Sequence, residues 1–400
     1  MHPSPPGPAP LPRRLLLGGV LATLTGGAAA LVATATRADR TTRTTPPGPA
    51  GTPRPVGTPR PATTLRPAGP PRASGTPRPP ATVRPLGTPQ RALTEAQLPY
   101  TLVLSYDLPA GLTGSTGAAA LRALCADWLR GLPPEVRAVL ALGPGPLRRL
   151  PLAAPALAEL PAFPGDRLDP ARGGGDVLVQ LCGPDGAEQL TAAAARLDDR
   201  AAAGQLTARW RQAGELAPTA PGATPRNAFG FKDGTANPDP ADRSRIWLPD
   251  GPHAGGCHLV YRRIAMDTAG FGALPAERQE EVIGRRREDG RPLGGTAEHE
   301  EPDLHAKHPD GRYVVPAGAH VRQANPRLDG GARMLRLGYG YQDGPDERGL
   351  AFCAYLRDPA LFVRVQQRLA ERDALSAFTE HRASAVGWVP PAGPDGTPLL

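Results

Sequence analysis

The sequence has few cysteines, four in 400 residues, and they lie far apart. None forms a Cys-x-x-Cys pair, the spacing that holds zinc or an iron–sulfur cluster, and no Cys-x-x-Cys-His is present to attach a c-type haem. We therefore expect neither a thiolate cluster nor a covalently attached haem. Four buried free thiols are the favoured interpretation, and one or two disulfides are the alternative if the chain is exported. The residues are Cys125, Cys182, Cys257 and Cys353.

Most of the chain also has nearly equal numbers of positive and negative side chains. The formal net charge is +8 and the isoelectric point is about 9.8. Residues 1–96 hold 12 arginines against Asp39 and Glu95, a balance of +10, and the remaining residues hold 34 basic and 36 acidic side chains, a balance of −2. Because this larger part is nearly neutral, its charge does not indicate a nucleic-acid partner, and none is predicted.

The N-terminus carries the pattern of an export signal. Arg13 and Arg14 precede the apolar stretch 15–32, and the small residues Ala33-Thr34-Ala35 follow it. This order of basic, apolar and small residues predicts a signal peptide over 1–35. The paired arginines are typical of a twin-arginine signal, which makes the twin-arginine export machinery a predicted partner. The stretch is just long enough to span a bilayer, so an uncleaved membrane tether is the alternative.

Glycine and proline, 48 and 52 residues, are concentrated near the front of the chain. Over 36–96 the unit Gly-Thr-Pro-Arg-Pro occurs at 51, 57 and 75. Such a short repeat cannot form a packed core, and proline fixes φ without donating a hydrogen bond. We predict a disordered, extended linker over 36–96, and contact of its arginines with anionic polymers or lipid headgroups is the weaker alternative.

From Tyr100 onwards the pattern is that of a folded α+β body. Apolar runs bounded by glycine and proline predict strands, and helical periodicity predicts helices. The predicted strands are 100–106, 176–182, 258–264, 334–341 and 350–355, and the predicted helices are 118–130, 187–200, 275–287 and 360–372. Each half of this body contains both strands and helices. We therefore predict two ferredoxin-like halves with antiparallel β-sheets, 97–220 and 221–400.

Three segments of the second half contain candidates for chemistry. Asp233 lies in the turn sequence GFKDGTANP, where small residues would let a flat ligand approach the backbone. His320 lies in GAHVRQANPR, and Arg336 lies in the strand-like run RMLRLGY. Each has a plain alternative: an Asp-Gly turn, a structural histidine, and an arginine paired with a carboxylate. Local pattern alone does not join the three segments.

The combination and order of the motifs resemble the dye-decolourising (DyP-type) haem peroxidases. The matching segments are GFKDGT, AHVRQANPR and RMLRLGYGYQDG, together with PAFPGD, RGGGD and LRDP. They are similar in particular to the exported branch that includes the deferrochelatase/peroxidase of bacterial iron-uptake systems. The resemblance covers the chain from about residue 97 to the C-terminus, and a twin-arginine signal fits that branch.

The resemblance implies a dimeric α-β-barrel-like fold in which two ferredoxin-like halves enclose one non-covalent haem b per chain. It implies a peroxidase that reduces hydrogen peroxide and oxidises organic, dye-type electron donors by one-electron steps. It also implies a homo-oligomer and export to the periplasm, cell wall or extracellular space. Components of an iron-uptake permease are further implied partners.

Family residues transfer position by position. His320 matches the proximal histidine that ligates the iron, Asp233 the distal aspartate and Arg336 the distal arginine. Asp233 would move the proton of the peroxide, and Arg336 would stabilise negative charge on its oxygens. The family often has Arg-Arg-Gly where this chain has Arg-Leu-Gly, so the charge of the pocket is expected to differ slightly. The implied haem contacts are Gly234, Thr235, Ala236, Asn325, Pro326, Arg327 and Arg336.

Weaker candidates surround this set. Asp358 is a candidate acceptor for the free ring N–H of His320. His258 and His381 compete for the position of iron ligand but lie outside the family motif. Bulky donors cannot enter a closed pocket, which makes surface aromatic residues candidates for electron relay, although core or rim packing is the favoured interpretation of each. The candidates are Tyr339, Tyr341, Trp247 and Trp388.

A polar cluster in the second half offers a further candidate for a metal site. It contains three histidines and several carboxylates, but their spacing matches no helix or hairpin site, so a solvated loop is the favoured interpretation. The residues are His299, His305 and His308 with Glu298, Glu300, Glu301 and Asp303.

Two other functions remain alternatives to a peroxidase. A protein that releases iron from haem and leaves the porphyrin intact would share the same pocket and differ in its products. A non-catalytic exported haem-binding protein would need His320 but neither Asp233 nor Arg336. The presence of both distal side chains favours catalysis.

Overall fold

A computed structural model describes residues 87–220 and 222–400. The predicted signal peptide over 1–35 and residues 36–86 of the predicted linker lie outside the described residues. The apolar stretch 15–32 therefore lies outside them too. Within the described part, no helix has both the length and the apolar character needed to cross a membrane.

The described chain forms eight strands and seven α-helices. The strands are β1 (Tyr100–Asp107), β2 (Arg137–Leu142), β3 (Val177–Gly183), β4 (Thr207–Glu215), β5 (Cys257–Met266), β6 (Leu335–Gln342), β7 (Arg348–Leu356) and β8 (Thr379–Val389). The helices are α1 (Gly114–Arg130), α2 (Pro144–Arg149), α3 (Ala187–Arg200), α4 (Thr268–Gly272), α5 (Ala276–Ile283), α6 (His320–Gln323) and α7 (Pro359–Arg372).

The strands close into one antiparallel barrel in the order β1-β3-β2-β8-β5-β7-β6-β4. The first four strands lie side by side as β4-β1-β3-β2, and the last four repeat this arrangement as β8-β5-β7-β6. With α1 and α3 in the first half and α5 and α7 in the second, each half is a ferredoxin-like β-α-β-β-α-β unit. The predicted α+β fold with two ferredoxin-like halves and antiparallel sheets is confirmed.

The two halves meet along two short seams of the barrel. Leu142 of β2 is registered with Trp388 of β8, and Glu215 of β4 with Gly340 of β6. The ladders inside each half are much longer and extend over most of the strand length. Each half is therefore joined internally by many backbone hydrogen bonds, and side-chain packing supplies much of the contact between the halves.

Side chains of both halves pack together inside the barrel. Trp210 of β4 stacks on Tyr261 of β5 with 4.8 Å between ring centroids and 19° between ring planes. The same buried cluster holds Tyr339, Tyr355, Cys182, Cys257 and Cys353. These three cysteines and Cys125 are free and buried. Of the two interpretations of the cysteines, the structure therefore shows free thiols.

Amphipathic helices cover the outside of the barrel. In α1 the buried residues Leu121, Cys125 and Trp128 follow a spacing of three to four, so they lie on one face of the helix and pack against the first half. In α7, Leu361 and Val365 do the same against the second half. The sequence therefore forms these helices because one apolar face can be buried on the sheet.

The predicted elements differ from the structure in two respects. Helix α5 ends at Ile283, short of the predicted end at 287, because Gly284 with φ of +92° terminates it in the left-handed conformation. Strands β2, β4 and β8 lie outside the predicted set. Along β4 most side chains are exposed and polar, so it lacks the apolar run that indicates a buried strand.

The folded body also extends into the predicted linker. The side-chain amide of Gln90 donates to the carbonyls of Leu140 and Pro390 at 2.9 and 3.0 Å and accepts from the Leu140 N–H at 2.8 Å. Leu93 is buried in the barrel cluster. Residues 87–96 therefore belong to the body, because Gln90 satisfies backbone groups of β2 near its short seam with β8.

The aspartate of the PAFPGD motif, Asp166, belongs to a buried ion pair. Arg262 of β5 is fully buried, pairs with Asp166, and donates from Nε to His381 Nδ1 at 3.1 Å. Removing one member of such a pair leaves an uncompensated buried charge. We expect Asp166→Ala to lower the free energy of unfolding by about 3–5 kcal/mol, measured by chemical denaturation.

The matched control for Asp166→Ala breaks an exposed ion pair. Glu281 pairs with Arg278 at 2.8 Å on the surface of α5. Glu281→Ala should change the free energy of unfolding by less than about 1 kcal/mol. Equal losses in the two variants would contradict a structural role for the Asp166 carboxylate.

Candidate functional site

The structure brings the three candidate motifs into one region. Asp233 and Arg336 line one cavity of about 420 Å³. His320 is outside the lining of that cavity, but it lies close enough for the charges of Arg336 and Asp233 to act on it, the first lowering and the second raising its pKa. The three side chains that local pattern could not join are therefore neighbours in the fold.

Strand β6 positions Arg336 through its alternation. Leu335, Leu337 and Tyr339 are buried in the barrel interior, so the residues between them face the opposite side of the sheet. On that side Arg336 and Gly338 line the cavity. Leu337, where the family often has a second arginine, therefore points into the barrel and is not in the lining of the cavity.

Asn237 holds Arg336 in place. Its side-chain Oδ1 accepts from the backbone N–H of Arg336 at 3.1 Å and from Nε at 3.3 Å, and its Nδ2 donates to the Arg336 carbonyl at 2.8 Å. Within the described residues, the two terminal nitrogens of the guanidinium have no hydrogen-bond partner. They are therefore free to bind a negatively charged group. Asn237 was not among the predicted site residues, although it lies in the GFKDGTANP motif.

Asp233 sits in a turn that is fixed from both sides. Its backbone N–H donates to the Pro225 carbonyl at 2.8 Å, and the next residue, Gly234, has φ of +106°, which favours glycine. The preceding Lys232 forms an ion pair with Glu298. In the described part of the chain the Asp233 carboxylate has no hydrogen-bond partner. The turn therefore presents a free carboxylate to the cavity that Arg336 also lines.

His320 begins the short helix α6 and is held by Asp373. Its Nδ1 donates to Asp373 Oδ2 at 2.6 Å, and the other oxygen of Asp373 accepts from the Leu375 N–H. In the neutral ring the proton is therefore on Nδ1 and the lone pair is on Nε2, for which the described residues supply no partner. The His320 side chain is 31% exposed and that of Asp373 only 3%. The imidazole thus faces open space with a free nitrogen.

Asp373 also decides the charge state of His320. Burial lowers the pKa of His320, but the charge and hydrogen bond of Asp373 outweigh it and raise the pKa above its ordinary value. The predicted acceptor was wrong. Asp358 instead accepts from the Ala360 N–H and caps the start of α7, whereas Asp373 lies just past the other end of this helix.

The predicted haem contacts lie on two loops, and ion pairs of Glu301 with two arginines connect these loops. Glu301 binds Arg327 at 2.9 Å and Arg333 at 2.6 Å. The Arg333 guanidinium also donates to the Ala236 carbonyl at 3.4 Å, and Asn325 is buried and caps the turn that contains Pro326. The carbonyl of Thr235 contacts His299 Nδ1 at 3.3 Å. The segments of Gly234 to Ala236 and of Asn325 to Arg327 therefore lie on either side of Glu301 and Arg333.

Other candidates do not join the site. In the part of the chain that the structure describes, no group of three or more histidine, cysteine or carboxylate side chains could hold a metal ion. This applies to the polar cluster of His299, His305 and His308. His258 contacts the Arg357 carbonyl at 2.9 Å, and His381 contacts Arg262. Burial lowers the pKa of His381 to about 3, so this ring is a neutral core residue.

The four aromatic candidates for electron relay are buried. Tyr339, Trp247 and Trp388 are each at most 1% exposed, and Tyr341 is 5% exposed. The structure therefore confirms core packing, the favoured interpretation, and places none of the four at the surface. Tyr341 contacts the Arg263 guanidinium, 4.4 Å from the ring centroid.

Two family models match the chain. The model described as "Dyp-type peroxidase, N-terminal" matches residues 129–214, and the one described as "Dyp-type peroxidase, C-terminal" matches residues 224–393. Together they cover more than half of the chain. The second match contains all three candidate motifs.

Curated relatives and solved structures agree with these matches. A dye-decolorizing peroxidase of Thermobifida fusca is 42% identical over 257 residues, 59% of each chain. A deferrochelatase of Yersinia pestis is 35% identical over 234 residues, 53% of each chain. The matches thus span little more than half the length of these relatives. A DyP-type peroxidase of Streptomyces coelicolor, known from its crystal structure, superposes with a TM-score of 0.71 and 32% identity, covering 78% of this chain and 94% of the other.

Proposed function

The chain belongs to the Dyp-type peroxidase family, and from this premise we propose that it is a haem-dependent peroxidase. It would reduce hydrogen peroxide and oxidise organic electron donors in one-electron steps. One arrangement carries the proposal: a histidine whose Nε2 has no partner among the described residues lies in the same region as a free carboxylate and a free guanidinium. These are the residue types that peroxide chemistry requires.

The residues present fit a haem as the cofactor. A neutral imidazole whose other nitrogen donates to a carboxylate is a ligand set for haem iron. Gly338 lines the cavity with Arg336, and a side chain at this position would crowd Leu350, which a Cβ would approach to 3.1 Å. His320 would hold the iron, and the loops of Gly234 to Ala236 and of Asn325 to Arg327 would contact the porphyrin. Since the sequence contains no Cys-x-x-Cys-His, one non-covalent haem b per chain is the form we propose.

Bound haem would supply the iron centre at which the oxygen–oxygen bond of the peroxide is cleaved. Asp233 would take the proton from one peroxide oxygen and deliver it to the other, directly or through a water. Arg336, oriented by Asn237, would stabilise the negative charge that develops on the oxygens. Asp373 would keep the proton of His320 on Nδ1 and so keep Nε2 available.

Reconstitution of the full chain with haem tests the proposal. We expect a Soret band on haem addition and peroxide-dependent oxidation of an organic dye. Asp233→Asn should keep the Soret band and lower kcat/KM for peroxide by about 10²- to 10⁴-fold, because it removes the group that transfers the proton. The measurement is stopped-flow and steady-state kinetics on the loaded protein.

A nearby aspartate provides the control. Asp239 lies in the same segment as Asp233, is exposed, and accepts a hydrogen bond from the Ala241 N–H at 2.8 Å. Asp239→Asn should leave kcat/KM for peroxide unchanged. Failure of the wild type to take up haem would overturn the proposal, and haem uptake without any reaction with peroxide would favour a non-catalytic haem-binding protein.

A second candidate function is release of iron from haem with the porphyrin left intact. It is favoured by the relatives at 33–35% identity that are named deferrochelatases. The same pocket would serve it. Mass spectrometry of the porphyrin after incubation of the loaded protein separates the two functions, because only iron release leaves metal-free protoporphyrin as a product.

We propose further that the chain is exported by the twin-arginine route to the periplasm, the cell wall or the medium. Arg13 and Arg14 before the apolar stretch 15–32 support this. Arg13→Lys together with Arg14→Lys should keep the protein in the cytoplasm, measured by immunoblotting of cell fractions. Export of this variant at the wild-type level would contradict the twin-arginine route. A homo-oligomer and an iron-uptake permease partner remain predictions.

A further inference from the structure

A tyrosine and a cysteine from different halves touch inside the barrel. Tyr339 of β6 and Cys182 of β3 lie with the phenolic oxygen 3.6 Å from Sγ. Both side chains are buried, at 1% and 6% exposure. This contact is therefore shielded from solvent and connects the first half of the chain with the second.

The pair lies one strand away from the candidate site. Tyr339 stands between Gly338 and Gly340, and both glycines line the cavity together with Arg336 and Asp233. Neighbouring Cα atoms are about 3.8 Å apart. Tyr339 points to the opposite face of β6, so only the thickness of this strand separates its ring from the cavity.

Burial restricts the chemistry of the Cys182 thiol. It raises the pKa of Cys182, so the sulfur stays a neutral thiol instead of a nucleophilic thiolate. Peroxide in solution has little access to a side chain that is 6% exposed. The route left for oxidation is loss of an electron with loss of the thiol proton. The hydroxyl of Thr101, 3.7 Å from Sγ, donates to the Leu181 carbonyl and can accept that proton.

We propose that Tyr339 and Cys182 are an internal oxidation site that forms a tyrosine–cysteine thioether when peroxide is consumed without an external donor. The inference rests on the proposed peroxidase function, which supplies the oxidant. Each side chain gives up one electron and one proton, and a bond forms between Sγ and the ring carbon next to the hydroxyl. The hydrogen of that carbon moves to the phenolic oxygen. The two electrons and two protons reduce one hydrogen peroxide to two water molecules.

The bond would join the two halves of the barrel covalently. The seams between the halves are short, with Leu142 paired to Trp388 and Glu215 to Gly340. A cross-link between β3 and β6 constrains the unfolded chain, in the way that a disulfide does. The oxidised protein should therefore unfold at a higher temperature than the untreated protein.

Peptide mapping of the loaded full chain tests the proposal. The protein is treated with a few equivalents of hydrogen peroxide without donor and digested, and the peptides are analysed by mass spectrometry. We expect the peptides of Tyr339 and Cys182 to appear as one species, lighter than their sum by two hydrogen atoms. Under denaturing conditions, thiol titration should count one thiol fewer than the four of the untreated chain.

Matched variants separate this pair from its neighbours. Tyr341 is on the same face of β6 and is also buried, but its hydroxyl contacts Glu347 at 3.4 Å. Tyr341→Phe and Cys353→Ser should still form the cross-linked species, whereas Tyr339→Phe and Cys182→Ser should not. With an organic donor present in excess, the cross-link should be suppressed in the wild type.

The outcomes distinguish this inference from the proposed function. Dye oxidation by the loaded wild type together with four intact thiols after donor-free peroxide would overturn the inference and leave the peroxidase proposal standing. Loss of two hydrogen atoms as a disulfide between Cys182 and Cys353 would overturn it as well. Absence of any peroxide turnover in a haem-loaded chain would overturn both.

Discussion

Replacing Arg336 with leucine is expected to lower kcat/KM for peroxide by about 10²- to 10³-fold, the usual effect of removing one group that stabilises developing charge. The two terminal guanidinium nitrogens have no partner among the described residues, so their charge is available to the cavity. The backbone of Arg336 is held by Asn237 at 2.8 and 3.1 Å, and these contacts survive the substitution. Haem binding and the Soret band should therefore stay near those of the wild type.

Two further variants sharpen this prediction. Arg336→Lys keeps a positive charge but loses the planar guanidinium, so it should recover only part of the rate. Arg245→Leu removes an exposed guanidinium that is paired with Asp242 at 2.9 Å, and kcat/KM for peroxide should change little. Full activity of Arg336→Leu, or equal losses in Arg245→Leu and Arg336→Leu, would contradict a specific role for Arg336. Stopped-flow mixing with peroxide measures all three variants.

The fold could be predicted from the sequence where burial leaves a local pattern. Strand β3 is buried at every position, and the surfaces of α1 and α7 alternate with helical period, so each is recognisable alone. Strand β4 is mostly polar and exposed. It becomes a strand because β1 pairs with it along nearly its whole length, and that pairing depends on residues about 100 positions apart, which no local pattern records.

In the candidate site, too, local motifs could be predicted from the sequence and long-range contacts could not. Asp233, His320 and Arg336 could be selected from their motifs, and the structure brings them into one region. The hydrogen-bond partner of His320 could not be selected from the sequence. Asp358 and Asp373 lie at opposite ends of the same helix, α7, and each accepts a hydrogen bond from a backbone N–H two residues further on, so local pattern does not tell them apart. Only the packing of α6 against α7 places one of them, Asp373, within 2.6 Å of the ring. Asn237 acts through the backbone of a strand 99 positions away, a contact that sequence spacing does not reveal.

Removing the imidazole of His320 is expected to abolish stable haem binding. In the neutral ring, Asp373 fixes the proton on Nδ1 and leaves the lone pair of Nε2 available to a metal ion. His320→Ala should weaken haem affinity by more than the factor of about 10–100 that loss of such a supporting residue causes. The measurement is the fraction of haem retained after transfer to apomyoglobin, followed at the Soret band.

Three comparisons assign that loss to ligation and exclude a loss of folding. Asp373→Asn keeps the imidazole and should lower haem affinity by about 10–100-fold. His308→Gln removes an exposed histidine outside the predicted haem contacts, and retention should equal that of the wild type. Added imidazole should restore a Soret band to His320→Ala, since it can occupy the space of the lost ring beside Asp373. Wild-type haem retention by His320→Ala would show that another residue ligates the iron, and His258 and His381, both bound to core partners, would have to leave those contacts to do so.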